Sequence, residues 1–321
     1  MTKKLNLSDI SYSFSKYMYI VSIVLVFLVF TIMSPQFLSL YSLQNLALET
    51  APMLLMSCGI SFVIFTGGID LGTGSIASCT CVITGLYVSQ VGNSIILLML
   101  VVGCVMGVIN GILVSKLKLP SFIVTLCTTN FWNFVALRLS PSGSQIIPLN
   151  KRSMVNWATK DVIGFPVIFW IALAITALLY FIQQYTVFGK TILSVGANTR
   201  ATRMAGVDTD KAQIAAFVIC DACCALAGAF YAYKLKSAVP TVGLDLNLLS
   251  IAAVALGGAS MVGGRGSVLH TLVGVITITA VTSGLEIIGC NALWKDIIIG
   301  MILILAVCLN SDSKGRDLII K

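Results

Sequence analysis

Four acidic residues, Glu49, Asp70, Asp221 and Glu286, lie within or at the ends of long apolar runs. An ionisable group brought into hydrocarbon is costly and usually marks an ion or proton path. Asp70, Asp221 and Glu286 are therefore the natural members of a relay that would couple a cation to the movement of a solute. They are scattered in sequence, and no two share a helical spacing. Asp70 also has a structural reading. It stands among Gly67, Gly68, Gly72 and Gly74 in FTGGIDLGTGS (65–75), where it can cap a helix beginning at Gly74-Ser75 or accept backbone N–H bonds. Other chemistry is thinly supplied. Cys220-x-x-Cys223 has redox spacing but sits in an apolar run, and the ten cysteines lie in or beside such runs, where they serve as small apolar filler. His270 is the single histidine, which excludes a His-rich metal site or a Ser/His or Cys/His nucleophile pair. Phe188-Gly189-Lys190-Thr191 imitates the end of a phosphate-binding loop, but Gln184 occupies the position of its first glycine. The chain carries no phosphate-binding motif and no cofactor motif of its own.

The elements that must hold these residues are membrane spans. Hydrophobic residues make up 58% of the 321 and charged residues 10%, and the mean hydropathy is +1.00, whereas a soluble domain is roughly a quarter charged. Nothing between the apolar runs is long enough for a second folded unit, so residues 1–321 read as one all-α, polytopic integral membrane domain. Strong spans fall near 17–33, 46–66, 94–115, 165–184, 212–233 and 267–285, and shorter or more polar ones near 75–91, 120–138, 247–262 and 296–310, about ten in all. The polar first 16 residues do not resemble a cleavable signal and are read as a retained tail before the first span. With that tail inside, thirteen of the 20 Lys and Arg residues fall on inner segments and seven on outer ones, which places both termini in the cytoplasm. The net charge of +8 is spread over short loops and forms no stripe, so it sets topology and offers nothing to a nucleic acid.

Two connecting segments stand out by length. The outer one, 139–164, is polar, with Trp157 and Phe165 suited to the bilayer interface. The inner one, 185–211, carries four basic residues. Within it Asn198 is a good helix N-cap and Gly206 a good stop, so TRATRMA should form two helical turns with Arg200 and Arg203 on one face. A short cytoplasmic helix held between spans suits a docking knob for a soluble partner. Glycines mark two further features. Gly103, Gly107 and Gly111 recur every four residues, making one smooth face for close helix packing. LGGASMVGGRGS (256–267), with Gly257, Gly258, Gly263 and Gly264, echoes the stretch around Asp70, and both bends fall on the same side of the membrane. Irregular backbone at membrane depth survives only under cover of protein or a water-filled cavity, so two such breaks point to the wall or gate of a translocation path.

Four ordered blocks carry a resemblance. FTGGIDLGTGSIAS resembles the GGIDLS-x-GS signature of the permease subunits of bacterial ABC importers for ribose, xylose, galactosides and related sugars. Leu119-Pro120-Ser121-Phe122-Ile123-Val124-Thr125-Leu126 is similar to their PSFIVTLGT segment. Val195-Gly196-Ala197-Asn198 with Ala205-Gly206-Val207 is similar to their cytoplasmic loop. LLSIAAVALGGASMVGGRGSVLHTLVG (248–274) is similar to the block before their last spans. The resemblance runs from about residue 40 to 305. This chain departs from it at Cys127, where the family has Gly, and at Asn247-Leu248-Leu249, where Glu-Leu-Asp is common.

The resemblance implies a permease in the bacterial cell membrane that pairs with a second permease copy, the same or different. A separate cytoplasmic ATPase, which binds ATP and Mg, docks on it, and an extracytoplasmic sugar-binding protein feeds it. It further implies that Gly196, Asn198, Arg200, Arg203 and Gly206 form the ATPase-coupling loop, and that Gly67, Gly68, Asp70, Gly72, Gly257, Gly258, Gly263 and Gly264 shape the translocation pathway. Two alternatives stay open on sequence alone: a permease of the same fold for nucleosides or branched-chain amino acids, and an ion-coupled carrier using Asp70, Asp221 and Glu286.

Overall fold

The computed structural model describes residues 7–291 and, beyond them, Trp294, Ile297, Ile298, Gly300, Met301 and Ile304. The span expected near 296–310 lies mostly outside the described residues. The helices, in chain order, are α1 Leu7–Met33, α2 Leu40–Phe65, α3 Thr73–Val91, α4 Ile95–Ser115, α5 Ser121–Leu139, α6 Val167–Tyr185, α7 Val187–Ala197, α8 Thr199–Met204, α9 Thr209–Leu235, α10 Leu246–Leu256 and α11 Val268–Ile287. Among the described residues there are also four short 3-10 helices and four two-residue strands, β1 Gln145–Ile146, β2 Asp161–Val162, β3 Phe165–Pro166 and β4 Ser237–Ala238. Among the described residues, six helical stretches are long and apolar enough to cross a bilayer. One of them, Thr73–Ser115, contains both α3 and α4, which meet at the Gly92–Ser94 turn. The protein is an all-α, polytopic membrane protein.

The centre of the bundle is α9, with α2, α3 and α4 packed around it. The most apolar windows of α2 and α9 are 89% and 78% covered by protein, while that of α5 is only 17% covered. Small residues permit this crowding. A methyl group at Gly103, Gly107 or Gly111 of α4 would come within 2.8 Å of α9 backbone atoms, as the four-residue glycine spacing predicts. Gly59 of α2 meets Cys220 and Cys223 of α9 in the same way, so the cysteines act as filler between close helices. The nine cysteines among the described residues are free thiols. A satellite cluster of Phe30, Phe37, Leu46, Ala280, Val281 and Leu285 fixes α1 and α11 against the start of α2.

Three expectations are corrected. The span drawn at 247–262 is the 11-residue α10, about 16 Å long at 1.5 Å per residue and too short to cross. Its run ends early because Gly257 and Gly258 stop the helix. The segment 185–211 is not a loop holding one short helix: α7 occupies 187–197 as well, started by the Thr186 side chain, which accepts from Gly189 N–H at 3.2 Å. Lys190 therefore lies on a helix, in no phosphate-binding loop. The outer segment 139–164 is not a plain polar loop. β1 pairs with β4, β2 with β3, and Val155 and Ala158 are fully buried. Its Trp157 indole donates to Asn93 Oδ1 at 3.1 Å, an oxygen that also accepts from Tyr233 O–H at 3.0 Å. Helix α1 begins at Leu7 and so includes part of the polar stretch before the first expected span.

Candidate functional site

The two glycine-rich breaks, 66–72 and 257–267, are far apart in sequence and touch through their backbones. Both start alike. Helix α2 ends with Gly67 at φ +81°, whose N–H donates to Ile64 O while Gly68 N–H donates to Val63 O; α10 ends with Gly258 at φ +83°, with Gly258 N–H on Ala255 O and Ala259 N–H on Val254 O. In each, a glycine in the left-handed region turns the chain back and satisfies the last helical carbonyls. One carbonyl left over on α2, Phe65 O, accepts from Gly264 N–H of the second break at 3.0 Å. A Cβ on Gly263, itself at φ +94°, would stand 2.6 Å from Gly67 N and 3.2 Å from Gly196 Cα.

The third participant is the α7–α8 segment. A Cβ at Gly196 would lie 1.9 Å from Phe65 O and 2.5 Å from Gly264 N, and one at Gly264 would meet Ala197 at 2.7 Å. Only glycines let three backbones converge here. The end of α7 thus sits on the hydrogen bond that joins the two breaks. From it α8 projects. Asn198 caps α8 as expected, its Oδ1 accepting Ala201 N–H at 3.0 Å, and Gly206 at φ +84° closes it with Gly206 N–H on Arg203 O and Val207 N–H on Thr202 O. Thr202 Oγ1 ties α8 back to Ser194 O at 2.9 Å.

The arginines differ. Arg200 is exposed. Arg203 is engaged: its guanidinium donates to Thr209 Oγ1 at 2.8 and 3.1 Å and to Asp210 Oδ1 at 2.6 Å, an oxygen that Lys118 also reaches at 2.7 Å. A cavity of about 540 Å³ opens between the first break and α8, and Gly67, Gly68, Lys118, Ser121, Arg200 and Arg203 are among its lining residues. Just past α8, Asp208 caps α9 through Lys211 N–H at 3.0 Å; that bond and the Lys211 ammonium hold its carboxyl below the usual carboxylate range.

Inside the first break the backbone is satisfied by side chains that the sequence did not single out. Ser121 Oγ accepts Ile69 N–H at 3.0 Å, Thr125 Oγ1 accepts Leu71 N–H at 3.0 Å, and Thr129 Oγ1 donates to Leu71 O at 2.8 Å. Asn247 of α10, at a position where the chain departs from the family pattern, donates to Leu71 O and accepts from Thr73 Oγ1 at 2.8 Å. Hydroxyls at 121, 125 and 129 fall every four residues along α5, a signal available in the sequence. Asp70 caps no helix directly; its Oδ1 accepts Gly72 N–H at 2.7 Å in a turn, and α3 starts at Thr73 with Gly72 as its N-cap. A Cβ on Gly257 would press on His270 O at 2.6 Å, so Gly257 allows α10 to pack against α11. Met204 at the tip of α8 is 82% exposed, an apolar side chain one place from a basic one in a polar segment.

The three acids of the suggested relay do not form one set. Asp70 and Asp221 are both fully buried, whereas Glu286 is exposed near the end of α11. Glu49, the fourth, pairs with Lys234.

Comparison with known proteins finds import permeases that are similar over most of the chain. The ribose import permease protein of Bacillus subtilis is 31% identical over 286 residues, covering 88% of each chain. That of Haemophilus influenzae is 29% identical over 292 residues, covering 89% of this chain and 90% of the relative. The fructose import permease protein of Rhizobium meliloti is 30% identical over 291 residues, 87% of this chain and 80% of the relative. No solved structure matches the chain. Residues 42–307 match the family described as branched-chain amino acid transport system / permease component, and the chain belongs to that family.

Proposed function

We propose that this chain is the membrane permease of an ATP-driven importer for a monosaccharide of pentose or hexose type. The observation that carries this reading is the backbone junction: Gly196 at the end of α7 rests on the Gly264 N–H to Phe65 O bond that links the two breaks. A push or pull on α7–α8 reaches both breaks without passing through a flexible side chain. That is the mechanical requirement for a subunit moved by an engine elsewhere. Gly196, Asn198, Arg200, Arg203 and Gly206 then belong to the coupling segment, with Met204 as its apolar tip for a groove on the ATPase. Gly67, Gly68, Asp70, Gly72, Gly257, Gly258, Gly263 and Gly264 form the hinged wall of the path. ATP and Mg belong to the partner ATPase, and an extracytoplasmic binding protein delivers the sugar, so the pathway needs only weak contacts with it. A second permease copy, identical or related, completes the conduit. In this reading the chain forms one domain in the bacterial inner membrane and crosses it about ten times, α10 making one crossing together with the non-helical residues that flank it. Both ends lie in the cytoplasm, with 185–211 inside and 139–164 outside.

Sugar is preferred to the amino acid in the family's description because the relatives carry ribose and fructose in their names and match 87–89% of this chain. The test is reconstitution with a candidate ATPase and a candidate extracytoplasmic binding protein. Labelled ribose, xylose, galactose, fructose, a nucleoside and leucine are then offered in turn. Sugar-stimulated ATP hydrolysis with sugar uptake is expected; uptake of leucine or the nucleoside alone would move the substrate to that class.

A further inference from the structure

Asp70 and Asp221 are the fully buried carboxylates among the described residues. One comes from the first break and the other from α9. One carboxylate oxygen of each lies, with the Cys220 sulfur, in a group whose members are all within 4.8 Å of one another. The ion pairs found among the described residues all lie elsewhere. Three of the four carboxyl oxygens have protein donors: Gly72 N–H on Asp70 Oδ1 at 2.7 Å, Cys220 Sγ–H on Asp70 Oδ2 at 3.7 Å, and Asn110 Nδ2–H on Asp221 Oδ2 at 2.9 Å. The fourth, Asp221 Oδ1, has none, and neither does the neighbouring Asn110 Oδ1. Both residues are fully buried.

Two carboxylates this close and out of reach of solvent do not both carry a charge, so the site must take up a positive species. A metal ion needs four or more donor atoms. Here only Asp221 Oδ1 and Asn110 Oδ1 are uncommitted, and Cys220 keeps its proton as a donor. We propose that the pair binds one proton, carried on Asp221 Oδ1 and donated to Asp70, which latches the first break to α9. The groups facing the pair are otherwise neutral: the thiols of Cys220 and Cys224 on α9, the Asn110 amide on α4, Gly59 of α2 behind Cys220, and Thr128 of α5 near Gly72. The latch matters because α9 begins directly after α8, so α9 would hold the break in place while α7–α8 pulls on it. This inference stands whether or not the transported solute is a sugar.

The test is infrared spectroscopy and thermal melting of the purified full-length permease at neutral and mildly alkaline pH. A carbonyl band of a buried protonated carboxyl is expected in the wild type and in Asp70→Asn, where Asp221 stays protonated. It should vanish in Asp221→Asn, whose amide donates to Asp70 in place of the proton. The wild-type melting temperature should fall as alkali removes the proton, while Asp221→Asn stays flat over the same range. Three results would each overturn the proposal. One is a wild type without the band, and another is Asp221→Asn retaining it in full. The third is a rise in wild-type melting on adding sodium, calcium, manganese or zinc chloride that Asp221→Asn abolishes, which would assign the site to a metal ion.

Discussion

Replacing Gly196 by alanine should disconnect α7–α8 from the two breaks. The new Cβ would stand 1.9 Å from Phe65 O and 2.5 Å from Gly264 N, where an ordinary C···O approach is about 3.3 Å. Helix α7 must therefore retreat by about 1.4 Å, or the Gly264 N–H to Phe65 O bond must open. Opening it leaves a helix-end carbonyl without its donor, at about 1–3 kcal/mol; holding it closed overpacks the junction at a similar ~1–3 kcal/mol. Either relief disfavours the docked arrangement by about 2 kcal/mol, roughly a 30-fold loss in its population at 1.4 kcal/mol per factor of ten. The assay is solute transported per ATP hydrolysed in proteoliposomes holding the permease, its ATPase and its binding protein. Hydrolysis should persist while transport per ATP falls at least about tenfold. Gly143→Ala is the control: its φ is +79° but no atom stands within 4 Å, so it carries only the left-handed backbone penalty of about 1–2 kcal/mol and leaves the junction closed. If Gly196→Ala transports as much per ATP as the wild type, the junction does not transmit force.

Other outcomes follow from neighbouring contacts. Arg200→Glu and Met204→Asp, both at exposed positions of α8, should weaken ATPase association in a pull-down without changing the melting temperature of the permease alone; unchanged association would remove α8 from the interface. Thr125→Val keeps shape but takes the acceptor from Leu71 N–H, which should cost about 1–3 kcal/mol, read as a lowered melting temperature; an unchanged value would mean the break does not rely on α5. Because Lys211 N–H and the Lys211 side chain lower the Asp208 pKa in the fold, the Asp208 cap stabilises above the unfolded carboxylate pKa and is lost as pH falls through the depressed value. Asp208→Asn keeps a cap acceptor that does not titrate, so the acid limb of melting against pH should flatten; an identical limb in both proteins would refute this.

Much of this arrangement could be read before any coordinates, for definite reasons. The Asn198 cap and the Gly206 stop act within a few residues, so α8 was predictable from local chemistry alone. The glycine face of α4 is likewise a one-helix pattern, though its partner α9 was not predictable from it. Hydropathy located the long helices but overran at α10, because a window of apolar residues cannot register that Gly257 and Gly258 end the helix inside it. The same insensitivity hid α7, whose residues are mixed in polarity and helical because they pack between α6 and α9. What no single-chain pattern could supply was proximity: Asp70 and Asp221 are 151 positions apart, and their meeting depends on the first break folding against α9. The junction of Gly67, Gly196 and Gly263 has the same origin. Each glycine was singled out for its own segment, and only the packing of three segments explains why all are needed.

The decisive measurement is solute accumulation in sealed vesicles. Vesicles holding this chain alone, under an imposed proton or sodium gradient, should accumulate no sugar, and vesicles with the ATPase and binding protein should accumulate it only when ATP is supplied. Gradient-driven accumulation by the chain alone would contradict the reading of it as a conduit worked through α7–α8.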